Sequence, residues 1–201
     1  NMRWTQVRMK IGCAGEVVDQ SLFLSMVAGM VNLEETSVSG PVVETLDNGL
    51  QVLVLEDQSA QVASVQLWCR TGSIHEGDWM GAGLSHFVEH MLFKGTTKRG
   101  LGEIAKSVQE AGGYINAYTS FDRTVYWIDT PSDGAEEAVD ILIDAASDSL
   151  MPEEEVVKEQ EVIRREFAMG NDDPGRVLSK AVFSNAFRHH PYRHPVIGHL
   201  E

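Results

Sequence analysis

Residues 84–93 read Leu84-Ser85-His86-Phe87-Val88-Glu89-His90-Met91-Leu92-Phe93 and carry two patterns at once. Leu84, Phe87, Val88, Met91 and Leu92 recur at i, i+3, i+4, i+7 and i+8, the spacing of a buried stripe on an α-helix. His86, Glu89 and His90 fall on a separate stripe, because residues three and four apart share a helix face. The spacing predicts a helix from about Gly83 to Phe93. Core packing holds it on one side, and another face presents two imidazoles and a carboxylate.

The sequence on either side supplies the layer against which that helix packs. Upstream, Val42 to Leu46 reads as a strand, Asp47-Asn48-Gly49 as a tight turn and Leu50 to Glu56 as its hairpin partner. Val62 to Cys69 alternates as a third strand, with Ala63, Val65, Leu67 and Cys69 facing the core. Gly72 to Gly83 is a glycine-rich loop leading into the motif helix. Downstream, Leu101 to Ala111 reads as a second helix stopped by Gly112-Gly113. Two strands follow, Tyr114 to Thr119 and Thr124 to Thr130, joined by a turn at 120–123. Asp133 to Leu150 is a third helix with Ala138, Ile141, Leu142 and Ala145 on one face. A fourth helix opens with Pro152 at its first position, where Glu153, Glu154 and Glu155 complement the positive helix end, and runs to about Met169. Pro174 opens a fifth, to about Phe187. This order predicts an α+β fold, a largely antiparallel sheet with helices on one face.

Composition narrows the class. With 201 residues, 43% hydrophobic and 23% charged, the chain has enough apolar mass for one domain with a core. No apolar run approaches the ~20 residues of a membrane-spanning helix. The net charge of −14 argues against non-specific nucleic-acid binding. Residues 129–173 hold 15 of the 30 acidic residues and three bases, Lys158, Arg164 and Arg165, a pattern of solvated acidic helix faces. Cys13 and Cys69 make no disulfide framework. In the first forty residues, Arg3, Arg8 and Lys10 precede the apolar run Ser21 to Val31, a faint likeness to a signal peptide. Glu16 and Asp19 interrupt it, so residues 1–41 are read as an N-terminal arm, disordered or peripheral, and a cytoplasmic location is favoured over an exported one.

The arrangement His86-x-x-Glu89-His90 is that of an inverted zinc-peptidase motif. A catalytic zinc takes three protein ligands and keeps one position open. His86 and His90 supply two, so the third comes from another element. Glu166 on the fourth helix is the best candidate, with Glu159 seven residues earlier on the same face. Spacing alone does not choose among the acids of that helix. His189-His190-Pro191-Tyr192-Arg193-His194 could suggest a second metal. Proline-broken spacing does not set ligands on one helical face, so the run is read as a surface loop.

The stretch from Gly83 through His86, Glu89 and His90 to Lys94-Gly95-Thr96 resembles the pitrilysin/insulinase/mitochondrial-processing-peptidase family of zinc peptidases. Further matches lie at Leu46-Asp47-Asn48-Gly49, at Ile115-Asn116-Ala117-Tyr118-Thr119-Ser120 and at His190-Pro191-Tyr192. The resemblance covers about residues 42–199. It implies one Zn2+ per chain held by His86, His90 and Glu166, the last lying 76 residues beyond His90, with Glu159 as a supporting acid. It implies a peptide substrate held as an added strand along Asn116, Ala117 and Tyr118. Zinc lowers the pKa of its bound water, and Glu89 then serves as general base. The resemblance also implies a second, similar domain, in the same full-length chain or in a partner subunit. Residues 42–201 are accordingly expected to form an N-terminal zinc-peptidase domain truncated at its C-terminus. Two other readings stand beside the metalloendopeptidase: a non-catalytic relative serving in binding or assembly, and a zinc hydrolase or lyase of small molecules.

Overall fold

A computed structural model describes residues 4–11, 40–57 and 59–200. The elements in chain order are β1 (Trp4–Ile11), β2 (Val42–Thr45), β3 (Gln51–Asp57), β4 (Val62–Cys69), α1 (Leu84–Leu92), α2 (Glu103–Glu110), β5 (Tyr114–Thr119), β6 (Thr124–Pro131), α3 (Ala135–Asp148), α4 (Glu153–Asp172) and α5 (Pro174–Ala186). The six strands form one sheet in the order β2-β3-β1-β4-β6-β5. All neighbours pair antiparallel except β1 with β4. The α+β architecture expected from the sequence is the one observed.

Local chemistry explains the elements. The β2–β3 turn closes as the Asp47-Asn48-Gly49 signal requires: Gly49 has φ +81°, its N–H donates to the Leu46 carbonyl at 2.8 Å, and the Asn48 side chain accepts from the Leu50 N–H. Period-two alternation orients β4 and β6. Val65 pairs with Ile128 and Leu67 with Tyr126, and all four are buried under the helices. Ala138, Ile141, Leu142 and Ala145 of α3 close that layer, as their spacing predicts, and Val139 and Ile143 widen the buried face. Across the sheet, Ser64, Gln66, Trp68, Tyr118, Val125, Trp127 and Asp129 line an open depression of about 250 Å³.

Several expectations need adjustment. Residues 4–11, read as part of a peripheral arm, form β1 inside the sheet, with Val7 opposite Val54 and Val65, and Met9 opposite Val52 and Leu67. Val7, Met9 and Ile11 alternate with polar residues, a strand signal that the charged surroundings obscure. The apolar run at 21–31 and Cys13 lie outside the described residues. Pro152 is the N-cap of α4 rather than its first helical residue, because its ψ of 136° is extended. Glu155, read as solvated, is buried and paired with Lys158 at 2.6 Å. The α1 stripe is only partly covered. Met91 and Leu92 are buried, but Leu84 and Val88 are 42% and 41% exposed. These two line a cavity of about 510 Å³ with Leu67, Tyr126 and Ala146.

Candidate metal site

α1 starts where three devices meet, two of backbone and one of side chain. Gly83, its N-cap, sits at φ +76°, a left-handed conformation that suits glycine. A Cβ there would lie 2.4 Å from the Ile197 carbonyl oxygen, so glycine also permits the close approach of the 194–199 turn. The buried Glu76 carboxylate accepts from the N–H groups of Gly83 (3.2 Å) and Ser85 (3.0 Å). It satisfies N–H groups at the helix start and places negative charge at the positive end of the helix. Spacing does not reveal this role, because Glu76 lies in a loop and caps from a distance.

α4 packs along α1 and brings an acid to the histidines. Glu166 Oε2 is 3.5 Å from His86 Nε2 and 3.6 Å from His90 Nε2. The imidazole centroids are 4.7 Å apart, inclined at 66°. The candidate ligand atoms of His86, His90 and Glu166 all lie within 4.8 Å of one another, so one ion could contact all three. Behind His90, the buried Glu159 meets Nδ1 at 3.0 Å and binds the Lys94 ammonium through its other oxygen. Burial pushes the Glu159 pKa up, but the hydrogen bonds from Lys94 and His90 outweigh it and hold the carboxyl below its usual value. Burial lowers the pKa of His86; Glu166 opposes that shift and His90 adds to it. Both effects suit a neutral His86 ring and an ionised Glu159.

Glu89 lies one helical step from the ligands. Its Oε2 accepts from the Thr119 hydroxyl at 2.5 Å, which ties α1 to β5. Burial raises its pKa; the Thr119 bond and His90 counter this, and the Glu166 charge adds to it. A carboxyl with a raised pKa is better matched to proton transfer near neutrality. Thr119 and Lys94 lie within the stretches that carry the resemblance, but only the fold reveals their contacts with Glu89 and Glu159.

The β5 residues divide between two faces. Among the described residues, β5 is an edge strand bonded only to β6. Ala117 shares a sheet face with Thr119, because strand side chains alternate. Tyr118 lies on the far face against Trp127, and its hydroxyl accepts from Arg123 Nε at 3.1 Å. Asn116 is exposed and accepts the Ala117 N–H through its side chain. The remaining histidines stand apart from the cluster. His75 and His190 each accept a nearby backbone N–H, and His194 meets His199.

A mixed sheet with an inward-facing His-x-x-Glu-His helix and a carboxylate from a second helix defines a metallohydrolase-like domain. Residues 51–199 match the insulinase family (peptidase family M16), and the chain belongs to it. An "uncharacterized zinc protease" of Rickettsia felis is 35% identical over 156 residues, covering 78% of this chain and 38% of that protein. The crystal structure of a protease from Helicobacter pylori superimposes with a TM-score of 0.73 at 32% identity, covering 79% of this chain and 38% of that one. A peptidase M16 inactive domain from Pseudomonas fluorescens shares the fold, with TM-score 0.67 and 16% identity, covering 80% of this chain and 39% of that one. The chain therefore spans well under half the length of these relatives. No helix among the described residues is long and apolar enough to cross a membrane.

Proposed function

We propose that this chain carries the metal half of a zinc-dependent endopeptidase. The observation that carries the reading is the convergence of His86, His90 and Glu166 with Glu89 alongside. Two imidazoles and one carboxylate are a known catalytic zinc set, so the donor chemistry fits. His90 fits in a second respect: a proton on Nδ1, held by Glu159, leaves the Nε2 lone pair free. A zinc ion held there would supply a Lewis acid and lower the pKa of a water toward neutrality. Glu89 takes the proton of the attacking water and returns it to the leaving amine. Thr119 keeps the Glu89 carboxylate turned toward β5. A peptide adds as a strand to the β5 edge, where Ala117 turns its backbone groups away from β6 and Asn116 flanks them with its side chain. That docking requires Asn116 to release the Ala117 N–H. Tyr118 supports the strand from the opposite face, against Trp127 and Arg123.

The length of the relatives supports a full protein in which a second, similar domain closes over the site. The isolated chain is expected to bind zinc and turn over peptides slowly. A non-catalytic role in binding or assembly is the second reading, prompted by the inactive-domain neighbour. The complete set of His86, Glu89, His90 and Glu166 favours catalysis. The test is Glu89→Gln in the full-length protein, with zinc content and peptide cleavage measured together. Zinc retained with cleavage reduced at least about 100-fold, the scale of a lost general base, supports the reading. Unchanged cleavage refutes it.

A further inference from the structure

We propose that His194 and His199 form a second, weaker binding site for a divalent transition-metal ion, independent of the His86/His90/Glu166 cluster. His194 Nδ1 and His199 Nε2 face each other at 3.1 Å. Two nitrogens at zinc-ligand distances of ~2.0–2.1 Å and this separation subtend about 98° at the ion, between octahedral and tetrahedral angles. His199 is exposed and His194 half-buried, so an ion reaches the pair from solvent. In the hydrogen-bonded state one ring donates N–H to the other. Binding requires that ring to move its proton to its other nitrogen, so both stay neutral and no proton is released. Burial, His199 and Arg193 all favour the neutral His194 ring, while Glu76 opposes them.

The Glu76 carboxylate is engaged by Gly83 and Ser85, so it adds negative charge nearby without serving as a ligand. Water fills the remaining coordination positions, which is why the site is the weaker of the two. The ion would act as a staple. The His199 N–H donates to the Gly81 carbonyl at 3.0 Å, and a Cβ on Gly81 would lie 2.9 Å from His194 Nδ1. Gly198 packs still more closely on Ala82, and Gly83 on Ile197. An ion bridging the two imidazoles therefore clamps the 194–199 turn onto the start of α1. The sequence run at 189–194 does not disclose this site, because the partner of His194 is His199 rather than His189 or His190.

Equilibrium dialysis of the chain against Zn2+ tests the proposal, using the parent, His199→Gln and Glu166→Gln. The glutamine amide can still bond to His194, so the turn stays closed without a second imidazole. The parent should saturate at about two equivalents in two affinity classes, with His199→Gln losing only the weaker class. Glu166→Gln should keep the weaker class, and excess Zn2+ should raise its melting temperature but not that of Glu166→Gln/His199→Gln. Equal zinc uptake by the parent and His199→Gln would overturn the proposal. If the first site failed to bind, a single equivalent lost in His199→Gln would still support it.

Discussion

A neutral imidazole has one nitrogen with a lone pair and one with a proton, so a metal ligand needs something to hold the proton on the far side. Glu159 does this for His90, and Lys94 in turn holds Glu159 ionised and in place. His86 Nδ1 is buried without a hydrogen-bond partner among the described residues, so His86 is oriented by packing instead. This asymmetry predicts that Glu159→Gln weakens zinc affinity by about 10–100-fold while leaving the ligand set intact. Competition with a chromogenic chelator measures it, and unchanged affinity would remove Glu159 from the site. His86, Glu89 and His90 were legible from spacing, because their helical neighbourhood is local. Spacing left several acids on the fourth helix open. Family resemblance singled out Glu166, and the packing of α4 on α1 brings that acid to the histidines.

At the scale of elements, the segment after α1 is tied to α3 by charge. Arg99 bridges Asp140 and the fully buried Asp144, which also accepts from the Thr96 hydroxyl at 2.7 Å. Removing the cation leaves a buried carboxylate uncompensated. Arg99→Ala should therefore cost about 3–5 kcal/mol in denaturant unfolding, far more than a surface ion pair. Loss of under 1 kcal/mol would mean that Asp144 finds other compensation, such as water. Tyr126 of β6 gives a second element-scale prediction. Burial pushes its phenol pKa far above 10. A folded-state pKa raised this way contributes stability fully present below about pH 10, the unfolded value, and lost as pH rises beyond it. Absorbance titration should show one of the four tyrosines ionising only as the chain unfolds, and Tyr126→Phe should abolish that step. Neither contact follows from periodicity. Asp144 lies on a helix, where acids are ordinarily exposed, yet it is buried and held by Arg99 and Thr96.

Across the whole molecule, the metal site bridges units distant in sequence: α1 supplies two ligands, α4 the third and β5 the tie to Glu89. An ion bound there stabilises the folded chain alone, because the unfolded chain does not hold the ligands together. Zinc at about 100 times the dissociation constant of this tighter site should add about 2.7 kcal/mol, removable by a chelator and lost from Glu166→Gln at that zinc concentration. A melting temperature indifferent to zinc would contradict a preformed site. Beside α1, Leu84 and Val88 leave an apolar cavity open, in a chain that spans only 38% of its zinc-protease relative. The sequence by itself determined strands β2 to β6, the helices and the polar face of α1, because helical and strand periods are set by neighbours a few residues apart. Tertiary structure alone decided that residues 4–11 join the sheet, that Glu76 caps α1 and that Thr119 holds Glu89. It also decided that His194 meets His199 and that Leu84 and Val88 stay uncovered. Each depends on which elements pack together, and that is settled by burial and backbone pairing over long sequence separations.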